Sequence, residues 1–128
     1  MKNWSGHLYF DDKFQWKNLD KAFPELWDLI SSETKQNVEE EQYDQVALEL
    51  NMAEIEKNKK PMGYTKEGSK YRMIFPQNMK EMIIYRGIPS EDIREITEKV
   101  QKILKNKKIK TTVDYDKMLL YDIRKRRK

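Results

Sequence analysis

Nine cations form two blocks in the last quarter of the chain. Lys105, Lys107, Lys108 and Lys110 come first, and Arg124, Lys125, Arg126, Arg127 and Lys128 end the sequence. Blocks of like charge at this density bind phosphate backbones by releasing condensed counterions. Tyr115 and Tyr121 lie between the two blocks, and aromatic rings so placed in single-strand binders stack on unpaired bases. The bland counterpart is a solubilising tail following two core tyrosines.

An opposite chemistry sits earlier in the chain. Glu39, Glu40, Glu41 and Asp44 make an acidic stretch that would steer a basic protein partner toward the helix carrying it. Two readings follow. The leading one is a small non-enzymatic regulatory or accessory protein that contacts nucleic acid, or a nucleoprotein complex, through its basic C-terminal region. The alternative is a protein-binding inhibitor, such as an immunity protein, an antitoxin or a phage or mobile-element antagonist, docking through its acidic N-terminal helices. The same charge separation also permits head-to-tail homo-oligomers, in which an acidic face meets a basic end.

Catalytic constellations are sparse. His7 is the single histidine and there is no cysteine, so sites built on two imidazoles, on thiolates or on disulfides are excluded within one chain. A serine, histidine and acid relay is arithmetically available from Ser5, Ser31, Ser32, Ser69 or Ser90, but none stands in a G-x-S-x-G elbow. Asp11 with Asp12, and Asp114 with Asp116, are the carboxylate pairs available to Mg²⁺, which leaves a metal-dependent nuclease as the residual enzyme reading. Acids at turns more often bond their own backbone. No P-loop, dinucleotide fingerprint or calcium loop occurs, and no cofactor or resident metal is expected.

These residues need a scaffold. A chain of 128 residues is the size of one ordinary domain. Hydrophobic residues make up 38% of it and charged residues another 38%, so the 14 aromatics and seven methionines must supply much of the core volume. Residues 1–56 carry five bases and 13 acids, and residues 101–128 carry 11 bases and three acids. A modest net charge of +4 therefore conceals a strong dipole. No window has the length and apolarity of a membrane span or signal peptide, which fits a cytoplasmic protein. Twenty of the 26 bases are lysine, a bias that A/T-rich codons produce in low-GC genomes and mobile elements.

Periodicity places the elements. Leu8 and Phe10 share one side of a short strand. Pro24 and Glu25 suit a helix start, with Leu26, Leu29 and Ile30 as its buried stripe and Trp27 at the margin. A second helix follows the acids, and Tyr43, Val46, Ala47, Leu50 and Ala53 recur at helical spacing as its core-facing stripe. Residues 62–76 read as a hairpin turning at Lys66–Ser69, with Tyr71, Met73 and Phe75 on one face. Glu81–Arg86 reads as a central strand, with Ile83 and Ile84 filling its two faces. Ser90 opens an amphipathic helix over about 90–105 on the stripe Ile93, Ile96, Val100, Ile103 and Leu104. A strand through Thr111, Val113 and Tyr115 follows it. Residues 118–123 then read as a return strand or a short helix.

The expected product is a single α+β domain over 1–123 with a basic tail at 124–128. N-terminal helices precede a small mixed sheet of three to five strands, on which the 90–105 helix packs. The order of elements in residues 42–75 also suits a winged helix-turn-helix, with Leu50-Asn51-Met52 as its turn and Lys57, Asn58 and Lys59 toward DNA. Glu54 and Glu56 on its reading helix argue against it.

Overall fold

The computed structural model describes residues 2–32, 38–66 and 68–116. Among these described residues, four strands and three α-helices form one α+β unit: β1 (Asn3–Phe10), α1 (Phe23–Ser32), α2 (Val38–Glu56), β2 (Arg72–Ile74), β3 (Glu81–Ser90), α3 (Asp92–Asn106) and β4 (Thr111–Tyr115). A single 3₁₀ turn (Trp16–Leu19) links β1 to α1. The strands lie in the order β2-β3-β1-β4.

The sheet is antiparallel throughout, not mixed. β1 pairs antiparallel with both β3 and β4, and β2 pairs antiparallel with β3. The crossover through α3 does set β3 and β4 running the same way. It leaves a gap one strand wide, and β1 fills that gap, so no two neighbours are parallel. The N-terminal strand is thus the centre of the sheet rather than a prelude to the helices.

Alternation on β1 explains what it covers. Gly6, Leu8 and Phe10 face α3, and the core on that side joins Leu8, Met73, Met82 and Ile84 of the sheet to Ile93, Ile96, Val100 and Leu104 of α3. Phe23, Leu26, Trp27 and Ile30 add the buried face of α1; Trp27 is 4% exposed and belongs to the core rather than its margin. Each such side chain contributes roughly 1.5–3 kcal/mol by leaving water. Gly6 sets the distance to the helix, because a Cβ there would overlap the Thr97 side chain of α3.

Local expectations hold where the pattern is strong. α3 begins beside Ser90, whose Oγ accepts the Asp92 N–H at 3.1 Å. Tyr71, Met73 and Phe75 are buried on one face, and Tyr64 and Met73 exchange both backbone hydrogen bonds at 2.8 Å to close the hairpin. Ile84 faces α3 while Ile83 is buried on the sheet's other side. The β3 ladder is irregular between Tyr85 and Ser90, where Gly87 and Pro89 lie exposed. Residues 118–123 fall outside the described residues.

α2 is the continuous helix the sequence favours, but it buries a different face. It runs unbroken through Leu50, Asn51 and Met52, so the turn a helix-turn-helix needs there does not exist. Its buried positions are Asp44, Asn51 and Ile55, while Tyr43, Val46 and Leu50 point to solvent. The polar pair can be buried because it is satisfied. Asn51 Oδ1 accepts the Gly63 N–H at 2.8 Å, its Nδ2 donates to the Ala47 carbonyl at 2.9 Å, and Tyr64 Oη donates to Asp44 at 3.0 Å. Buried polar groups paired in this way avoid the desolvation penalty.

Candidate anion-binding cleft

The C-terminal end of α3 presents the predicted lysines. Ile109 N–H bonds back to the Leu104 carbonyl at 2.9 Å and Lys108 N–H to the Lys105 carbonyl at 3.0 Å, the bond pair of a Schellman stop. Leu104 and Ile109 are both buried and supply the apolar contact that accompanies this motif. Lys105, Lys107, Lys108 and Lys110 surround that anchor and are exposed. Lys108 holds φ at 64°, a left-handed position that glycine usually takes.

A second wall comes from the start of the chain. Phe10 and Phe14 stack with centroids 3.9 Å apart, and Trp16 meets Phe14 and Phe75 edge-on. This aromatic cluster pins the loop after β1 and leaves Lys13, Lys17 and Lys21 exposed. Asp11 Oδ1 accepts the Lys13 N–H, and Asn58, at φ 59°, accepts the Lys17 N–H at 3.0 Å.

The two walls enclose a surface cleft of about 650 Å³, lined by Lys13, Lys17, Lys21, Lys107, Lys108 and Lys110 together with Asp11 and Asp20. It adjoins a less polar cleft of about 830 Å³ between α3 and β4, to which Lys102 and Lys105 contribute and which shares Asp11, Ile109 and Lys110. Eight lysines therefore converge. Lys107 is partly engaged, with its Nζ 3.0 Å from Glu25 of α1.

Sequence reasoning found four of these lysines. It missed Lys13, Lys17 and Lys21 because residues 1–56 are acidic as a whole, and it placed Lys102 at the end of the helix without counting it in the site. The four-residue spacing of Lys13, Lys17 and Lys21 was the available signal.

Tyr115 is half-buried. It packs at the core edge with the Arg94 guanidinium 4.3 Å from its ring centroid, and burial, reinforced by Glu98 and opposed by Arg94, raises its phenol above the ordinary value. Tyr121 and Arg124–Lys128 lie outside the described residues. Of the acidic stretch, Glu41 is exposed on α2 and Asp44 is turned inward. The Asp44 carboxylate is held by the Tyr64 hydroxyl at 3.0 Å and lies 3.8 Å from Lys66 Nζ. The side chains of Glu39 and Glu40 are outside the description.

Of the four paired carboxylates, Asp11, Asp114 and Asp116 accept backbone N–H groups. Asp116 accepts the Trp4 and Ser5 N–H groups on one oxygen, at 2.7 and 3.0 Å, and the Asn3 side chain on the other at 2.9 Å. Asp114 accepts the Tyr115 N–H at 2.8 Å. No group of three or more potential metal ligands occurs among the described residues.

His7 is the centre of a relay on the sheet face away from α3. Its Nδ1 lies 2.8 Å from Glu81 Oε1 and its Nε2 lies 2.8 Å from Ser5 Oγ. Ser5 and His7 share a face because they are two apart on β1, and Tyr9 pairs with Glu81 one register step away. An ionised carboxylate only accepts, so Nδ1 then donates to it and a neutral imidazole accepts the Ser5 hydroxyl on Nε2. The order matches a nucleophile-activating relay. Yet Ser5, His7 and Glu81 are each 0% exposed, and the Ser5 N–H is spent on Asp116 rather than left for an oxyanion.

No helix among the described residues is long and apolar enough to cross a membrane. No family model, curated protein or solved structure matches the chain.

Proposed function

We propose that this is a small non-enzymatic accessory or regulatory protein that contacts nucleic acid through the lysine-walled cleft. The observation that carries the reading is convergence. Lys13, Lys17 and Lys21 meet Lys107, Lys108 and Lys110 across one groove although some 90 positions separate them in the sequence. Dispersed lysines that merely keep a protein soluble have no reason to line one concavity. The cleft contains lysine and no arginine among its lining residues, so it offers compact point charges rather than bidentate forks. Such contacts hold phosphates and do not read bases.

The test replaces Lys13, Lys17 and Lys21 by alanine and measures affinity for duplex and single-stranded oligonucleotides across salt concentrations. Removing three phosphate contacts should flatten the slope of log affinity against log salt by up to about 2.7 on duplex, or about 2.1 on single strands. The loss should be the same for unrelated sequences. An unchanged slope and affinity would refute the cleft as the contact surface.

A further inference from the structure

The stripe Tyr43, Val46 and Leu50 has the spacing of a core-facing helix side, yet its members are 69%, 56% and 55% exposed, and Met62 beside them is 55% exposed. Residues three, four and seven apart on a helix form one continuous face. Beside this face lies a cleft of about 480 Å³, between α2 and the segment from Met62 to Lys66, with Trp27 and Tyr64 among its lining residues. Contiguous exposed apolar surface of this kind marks interaction sites on monomeric proteins.

The charge around the face selects the occupant. Val38–Glu56 contains seven acids and no base; the exposed Glu49 and Glu56 flank the stripe, and Lys66, the one cation among the described residues lining the cleft, is paired with Asp44 at 3.8 Å. A second copy docking α2 against α2 would oppose two purely acidic helices, and like charges so placed repel. We propose that this face docks an amphipathic basic helix of a partner protein, whose apolar ridge fills the α2–Met62 cleft while its Lys and Arg flanks meet the acids. The proposal does not depend on the nucleic-acid reading, since none of its residues lines the lysine cleft.

A labelled peptide of about 18 residues, five helical turns, with leucines on one face and lysines elsewhere, is titrated with the full chain by fluorescence anisotropy. A scrambled peptide of equal composition serves as the comparison. V46E/L50E is the diagnostic variant, because it adds two negative charges while removing the apolar face. Docking predicts at least a tenfold weaker affinity for this variant, and salt should weaken wild-type binding. Simple attraction between charges predicts the reverse, a tighter complex. Tyr43→Gln, at the most exposed position, should give a smaller loss in the same direction and provides a second measurement if V46E/L50E fails to fold. The proposal is overturned if V46E/L50E binds as well as wild type, if the scrambled peptide binds equally, or if the wild-type chain binds neither. It is also overturned if sedimentation equilibrium shows a wild-type dimer that V46E/L50E makes monomeric, since a second copy then covers the face.

Discussion

Breaking the Ser5–His7–Glu81 relay should cost far more than its size implies, and in a strongly non-additive way. Glu81 is fully buried and its Oε1 meets Nδ1 at 2.8 Å, while Oε2 has no hydrogen-bond partner among the described residues. Glu81→Ala leaves a buried Nδ1–H without an acceptor, and His7→Ala leaves a buried carboxylate without a donor. Removing one member of a buried pair costs about 3–5 kcal/mol, mostly from the stranded group. Once either has gone, removing the other strands nothing new. The double variant should therefore fall short of the sum by about 2–3 kcal/mol, within the range seen for residues in contact. Ser5→Ala forfeits one neutral hydrogen bond and should cost about 1–2 kcal/mol. Urea unfolding at neutral pH reads all four. With a denaturant dependence of about 2 kcal/mol per molar, each single pair-breaking change lowers the midpoint by about 1.5–2.5 M. Additivity of Glu81→Ala and His7→Ala within about 0.5 kcal/mol would mean the two groups do not stabilise each other, and the relay would then be a coincidence of packing.

Lys108 holds a left-handed backbone at the Schellman stop, so Lys108→Gly should raise stability by about 0.5–1 kcal/mol in thermal unfolding while weakening phosphate binding by one contact. Tyr9 and Tyr115 both have phenols raised above 10.0, in each case chiefly by burial; nearby carboxylates reinforce the shift, Glu81 and Asp114 at Tyr9 and Glu98 at Tyr115. The folded state therefore holds these protons more tightly than the unfolded chain. Their contribution is complete below pH 10 and is lost as pH rises through the folded values, so denaturant midpoints should fall on the alkaline side and fall less in Tyr9→Phe/Tyr115→Phe. Ile96→Ala and Val100→Ala remove buried aliphatic groups under the sheet and should each cost about 1–5 kcal/mol. Glu95→Ala, on the exposed side where Glu95 pairs with Lys99 at 3.4 Å, should change stability by less than about 0.5 kcal/mol.

The elements legible in the sequence are those whose signal is local. α3 was readable because Ile93, Ile96, Val100 and Leu104 repeat at helical spacing just after Ser90, whose Oγ accepts the Asp92 N–H, and their burial needs only that one face meets the sheet. β3 was readable because Ile83 and Ile84 fill both sides of an interior strand. For α2 the helix was legible but its orientation was not. The sequence contains two stripes at helical spacing, and hydrophobicity favoured Tyr43, Val46 and Leu50. Burial went instead to Asp44, Asn51 and Ile55, because Tyr64 and the Gly63 backbone, 12 to 20 positions further on, satisfy the polar pair.

What the residues determined alone is therefore the α+β class, the helix on the sheet, the charge dipole and the lysines that stop α3. Only the tertiary structure decided that β1 inserts between β3 and β4, and almost everything of functional interest depends on that insertion. It places Ser5 and His7 beside Glu81, 74 positions away, and it carries the loop with Lys13, Lys17 and Lys21 to the end of α3. Periodicity reports which side of an element turns inward over a few residues. It has no memory of which distant segment closes the other wall, because that is settled by the strand order that buries the most apolar surface while leaving the fewest polar groups unpaired.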